Sequence, residues 1–240
     1  MNKILSFLLF NLSFFLFQGQ TTNTWQGNGD TRWGLGSNWS QGSIPTSSHD
    51  VVIPDLSALS VPLILDSRVC NSLVIQSGGE LKFHSSGTPT LTVDQDVSIN
   101  SGGSLTFLSN TNSQLTAGGN WSNSGTFTEG TGTVVLSSAS GQSIGAETFY
   151  NLYLSGGSTK TASGAINVSN DLTVTASNTI LELTSNNLDV NGDVVVSLSG
   201  KIRASTATIN FDESINASGG NIEFTGAGTL NLTKSVSNLG

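Results

Sequence analysis

Charge is scarce in this sequence, and basic charge is scarcest. Only 10% of the 240 residues are charged, with 8 Lys and Arg against 16 Asp and Glu, for a formal net charge of −8; an average globular domain carries about 25%. Such a chain cannot build the basic face that neutralises a phosphate backbone, so nucleic acid is excluded as a partner. An anionic membrane surface is excluded on the same ground. Residues that fill helices are also thin: Ser, Thr, Asn and Gly, all middling to poor helix formers, number 38, 27, 23 and 28 and make up 48% of the chain, which argues against a helical domain. Cysteine is reduced to Cys70. No intrachain disulfide can form, and stability must come from packing and backbone pairing. Cys70 itself, just ahead of an apolar strand signal, reads as a small half-buried residue.

Long apolar runs are missing except at the start, where Lys3 is followed by Ile4–Phe17 and then Gly19. A positive residue, an apolar core and a small residue near a cleavage point describe a secretory signal peptide. The run is interrupted by Asn11 and Ser13 and falls short of the roughly 20 residues needed to span a bilayer. Residues 1–20 are therefore expected to be removed by a cut between Gln18 and Thr22, with no membrane insertion afterwards. No cysteine stands directly after the run, so a lipoprotein anchor is unsupported.

The 36% of hydrophobic residues recur at fixed intervals. Residues 73–96 and 97–120 align without a gap, each with three apolar-x-apolar signals: Leu73–Ile75, Leu81–Phe83 and Leu91–Val93, then Val97–Ile99, Leu105–Phe107 and Leu115–Ala117. A shortened third unit begins at Trp121 and continues through Phe127 and Val134–Leu136. Further on, three columns share one period: Leu172, Val194, Ile215 and Val236; Leu181, Ile202 and Ile222; Leu188, Ile209 and Leu230. Period-two alternation turns the two apolar residues of each signal inward and the middle one outward. Three short strands per repeat, joined by turns of Gly, Asn and Ser, form a triangular coil. The expected fold is all-β, a right-handed parallel β-helix with three sheets and coils of about 21–24 residues. Residues 73–236 would make seven or eight such coils, and at about 4.8 Å each a rod of roughly 35–40 Å. A β-sandwich is the alternative, but it requires hairpins rather than three columns in phase. The stacking predicts a ladder of Asp189, Asn210 and Asn231, and sets Arg203 beside Glu223.

Three of the four tryptophans, Trp25, Trp33 and Trp39, lie within one short segment. Aromatic rings could stack on sugars, but the end of a solenoid also needs its core and strand edge covered, and aromatic side chains cover the most area. Residues 21–56 are read as a Trp-rich N-terminal cap, with Val51–Ile53 as the first strand stopped by Pro54, and residues 57–240 as the β-helix. The pattern Trp25-x-Gly27, Trp33, Asn38-Trp39, Gly42, Pro45 and Asp50 through Pro54 resembles the N-terminal segment of large secreted β-helix proteins of Gram-negative bacteria. The segment 132–156, with Gly132, Val134, Gln142, Ile144, Phe149, Asn151 and Leu152, resembles a recurrent unit of the same proteins. The resemblance implies an architecture like that of adhesins and autotransporter passengers. It also implies export by the type IX route, directed by a C-terminal sorting domain. Residues 236–240 stop inside a repeat, so the chain is expected to be the N-terminal part of a longer protein with further C-terminal domains.

Candidate chemistry is sparse. Asp94 with Asp96 and Asp212 with Glu213 form acidic pairs, and carboxyls about 6.5–9.5 Å apart on adjacent coils could serve inverting hydrolysis. They read better as solvated turn carboxylates. His49 and His84 lack companion ligands at metal-binding spacing. The string Asp189-Val190-Asn191-Gly192-Asp193 has the start of a calcium loop, but Gly200 stands where its closing glutamate belongs. Thr92, Thr106 and Thr116 would be outward on strands, a hint of an ice-binding face that later coils do not continue. No catalytic, cofactor-binding or metal-binding residue is assigned, and no cofactor is expected. The reading is a secreted or cell-surface, adhesin-like scaffold without catalytic activity, whose partner is an extracellular glycan or other cell-surface ligand. A polysaccharide lyase, glycoside hydrolase or carbohydrate-binding module is the alternative, and an ice-binding solenoid a more distant one.

Overall fold

In the computed structural model, residues 19–108 and 112–234 are described. The expected signal peptide and Val236 lie outside them, apart from the last two residues of the former. Every strand pairing between named strands is parallel, as a β-helix requires and a β-sandwich forbids. The chain is a parallel β-solenoid of about nine turns, counted from the strand Thr21–Thr24 onward. The only helix among the described residues is the 3-10 turn Gly36–Asn38.

Three faces make up each coil. The first is a ten-stranded sheet running from Thr21–Thr24 and His49–Ile53 to Asn221–Phe224. The second is an eight-stranded sheet running from Ser67–Cys70 to Ile215–Asn216. The third is interrupted: a four-stranded sheet ends at Thr126–Thr128, and a five-stranded sheet begins at Glu147–Phe149. Register follows the apolar columns. Leu73 pairs with Val97 and Val97 with Trp121; Leu188 pairs with Ile209 and Ile209 with Leu230. The alternating strands bury their flanking positions, as in Leu188 and Val190 around half-buried Asp189. One continuous apolar core fills the solenoid from Trp25 to Ala217.

The first strand of the ten-stranded face is Thr21–Thr24, which pairs with His49–Ile53, so Val51–Ile53 is not the beginning of the sheet. The segment between these strands folds over the end of the core. Trp25, Trp33 and Trp39 are at most 1% exposed and meet edge to face at 5.0 and 4.6 Å, a geometry that aromatic quadrupoles favour. Trp25 Nε1 donates to the Ser60 carbonyl and Trp39 Nε1 to that of Trp33. With the rings sealed inside, stacking on a sugar is ruled out for this tryptophan cluster. Buried Asn38 holds the loop: its amide donates to the Asp30 and Arg32 carbonyls, and its carbonyl oxygen accepts the Gly29 N–H.

Turns are joined by side chains as well as by the sheets. The residue preceding an inward apolar position is repeatedly Asp or Asn, and its side-chain oxygen accepts the backbone N–H one coil onward. Asp96 takes that of Asn120, and Asn120 that of Ser143. Asn151 takes that of Asp171, Asp171 that of Asp193, and Asp193 that of Ser214. Asn187 does the same for Thr208. These bonds satisfy N–H groups at the ends of strands, where sheet pairing gives out.

Candidate functional site

A polar concavity follows from the third face. Its five-stranded part places Thr148, Asn167, Asp189, Asn210 and Asn231 in register as the outward residues of successive strands. Asn167 donates toward the Thr148 hydroxyl, Asn210 to the Asp189 carboxylate, and Asn231 to the Asn210 carbonyl oxygen. The ladder read from the sequence is thus present and extends two coils further back. Where each coil bends toward the eight-stranded face, Ser169, Asn191 and Asp212 form a second row. The first row from Thr148 to Asn210 and this second row line a groove of about 560 Å³, floored by Val168 and Val190.

Backbone groups along the bend are used between coils: Asn191 N–H donates to the Val168 carbonyl, and Asp212 N–H to that of Val190. The side chains are therefore the groups left to meet a ligand. Ser169 and Asn191 bond no other side chain among the described residues. Asp212 accepts the Thr233 hydroxyl at 2.9 Å. The lining holds two carboxylates, three primary amides and two hydroxyls, with no basic group.

Two polar nodes sit inside the solenoid, and sequence periodicity alone passed over both. Gln142, Lys160 and Leu181 occupy successive inward positions, which makes Lys160 fully buried. Its ammonium donates to the Ser138 carbonyl at 2.6 Å and to Ser158 Oγ at 2.8 Å, with no carboxylate in ion-pair range among the described residues. Burial without a counter-charge lowers its pKa from 10.5 to about 8. Gln142 bridges to the preceding coil through the Ala117 and Gly119 carbonyls. The second node is Glu147, at the interruption of the third face. Burial raises its pKa, against the opposing effect of hydrogen bonds from Asn123 at 2.8 Å and Trp121 Nε1 at 3.0 Å. Trp121 in turn packs against Phe127 and Phe149. Stepping the Leu181 column back one period would have found Lys160. Glu147 carries no such signal.

The remaining candidates disperse. Asp96 belongs to the turn ladder, while Asp212 accepts Thr233 and Glu213 pairs with Lys234 at 2.5 Å. Asp189 and Asn191 face the groove, whereas Asp193 is bound to Ser214; no cluster of three metal-ligating residues occurs among the described residues. His49 and His84 are held by Thr46 and Ser86 respectively. Arg203 does lie beside Glu223 in register, but its ion pair is with Glu182 on the preceding coil, at 2.5 Å. The Thr92–Thr116 column is on the eight-stranded face, separate from the Asp189 ladder, and continues through Val135 and Tyr153. Cys70 is fully buried within Ser67–Cys70, not half-buried ahead of the next strand, and desolvation pushes its thiol pKa well up.

Residues 24–138 are similar to a family described as a domain of unknown function (DUF8693). No curated protein and no solved structure matches the chain. The similar segment runs from the tryptophan cap to just past the strand Thr133–Leu136, and the groove lies beyond it.

Proposed function

We propose that this chain is a secreted or cell-surface, adhesin-like scaffold that holds binding surfaces away from the cell and carries out no bond chemistry. The observation that carries the reading is the ten-stranded parallel face, paired without interruption from Thr21 to Phe224. A sheet of that kind, sealed at one end by the tryptophan cap, suits a stiff rod that resists proteases. The apolar segment Ile4–Phe17 and the resemblance to exported β-helix proteins support export. Expression of the full chain in a Gram-negative host tests this. The expected result is an extracytoplasmic protein with a new N-terminus between Gln18 and Thr22, resistant to trypsin across residues 25–230. Retention in the cytoplasm with Met1 intact overturns the export reading. Release of new reducing ends from a polysaccharide overturns the non-catalytic one.

A further inference from the structure

We propose that the groove on the third face binds a neutral, extended oligosaccharide lying along the solenoid axis. The proposal supplies a ligand for the adhesin reading and rests on it only for biological sense, because binding can be measured whether or not the chain is exported.

The chemistry of the lining selects the class. Asn167, Asn191 and Asn210 offer donors and acceptors side by side, Ser169 and Thr148 offer hydroxyls, and Asp189 and Asp212 offer acceptors. Planar amides and carboxylates can each engage two vicinal hydroxyls, which is what a sugar ring presents. The only apolar residues in the lining are Val168 and Val190, each 1% exposed, so there is no pocket for an apolar side chain or lipid. A peptide adding itself as a strand has no free edge here, because the backbone of the groove is paired coil to coil. Polyanions are opposed by Asp189 and Asp212, with no Lys or Arg in the lining to offset them.

Repetition selects the shape. Equivalent residues recur every coil, at about 4.8 Å, a spacing close to the length of one pyranose unit. A linear glycan parallel to the axis therefore meets a pair of polar side chains, one of them an amide, at each step: Asn167 with Ser169, Asp189 with Asn191, and Asn210 with Asp212. Along the row, Asn210 ties to Asp189 and Asn231 to Asn210, which orients the amides before a ligand arrives and reduces the ordering cost of binding. The volume of about 560 Å³ lies within the range of ligand clefts.

The test uses the full chain and isothermal titration with cellohexaose, xylohexaose, mannohexaose and laminarihexaose. Hexagalacturonate serves as the anionic counterpart and calcium chloride as the cation. Asn191→Ala removes a side chain that bonds nothing else, and Ser169→Tyr fills the groove from an outward position; circular dichroism and thermal midpoint confirm that both fold. Binding of at least one neutral hexaose is expected. It should weaken about tenfold in Asn191→Ala and be lost in Ser169→Tyr, with hexagalacturonate at least tenfold weaker than the neutral ligand. The proposal is overturned by absence of binding to all four neutral hexaoses at millimolar concentration. It is equally overturned by binding that both variants leave unchanged, by preference for hexagalacturonate, or by a groove that takes calcium alone.

Discussion

Lys160 shows what one inward position costs when it is given a charge. On either side in its column stand Gln142, bonded to backbone carbonyls, and apolar Leu181. The lysine carries an ammonium into the same space with only Ser138 and Ser158 as partners. Its pKa falls from 10.5 in the unfolded chain to about 8 in the folded one, so between those values the unfolded state binds more protons. Stability contributed through Lys160 therefore rises with pH from about 8 to 10.5, and the full penalty is present at neutral pH. Lys160→Met fills the column and leaves the Ser138 carbonyl accepting from Ser158 Oγ. The variant is expected to be at least as stable as the parent at pH 7, with the gap narrowing as pH rises through that window. Urea melts at pH 7 and pH 10 read the difference; a variant less stable at pH 7 by more than about 1 kcal/mol would show that the ammonium bonds outweigh desolvation. Glycine has an equally local role at Gly156, where φ is +89° and a Cβ would stand 2.2 Å from the Ser137 carbonyl oxygen, so the turn closes only with no side chain there.

At the scale of the strand and turn, the repeating element is an apolar-x-apolar strand preceded by an Asp or Asn. The apolar pair supplies burial, and the leading side chain ties its turn to the next coil. Asp193 accepts both the N–H and the hydroxyl of Ser214. Asp193→Ala should therefore cost about 1 kcal/mol or somewhat more, since it strands an N–H at a strand end. Asp193→Asn, which keeps the accepting oxygen, should lose less than half as much; equal losses in urea titration would remove the turn ladder from the list of stabilising interactions. The strands and their faces were legible from periodicity, including the registers Leu73 with Val97 and Leu188 with Ile209. The turn ladder was not, because Asp and Asn are common in any polar turn and only stacking shows which N–H each one meets. The groove was half legible: the Asp189, Asn210 and Asn231 stack follows from period. Its second row lies in the bend, where no apolar alternation marks the register.

Across the whole molecule, coils touch mainly their immediate neighbours, so stability is close to one-dimensional. Leu230→Asp, at an inward position of the last described strand Thr229–Leu232, should speed amide exchange in that coil and in the preceding coil around Ile209. Exchange around Leu73 and Leu91 should stay within about twofold of the parent; hydrogen exchange with mass spectrometry distinguishes this from a cooperative unit spanning the rod. The interruption of the third face is the other feature of this scale. There Glu147 takes an inward position and Phe127 and Phe149 approach at 6.1 Å without their strands pairing. The ten- and eight-stranded faces carry the chain across the gap.

The scarcity of charge and the abundance of small polar residues, together with the spacing of the apolar ones, determined the all-β solenoid, its faces and most of its register. They could do so because each coil repeats the same local problem: two residues to bury, one to expose and a tight turn to close. Tertiary structure alone decided what happens where that repetition fails. It set the edge-to-face packing that seals the tryptophan cap, broke the third face at Glu147 and buried Lys160. It also bent the five-stranded part of that face into a groove. Each depends on which residues stand one coil apart when coil lengths differ, a distance in space that periodicity along the chain does not contain.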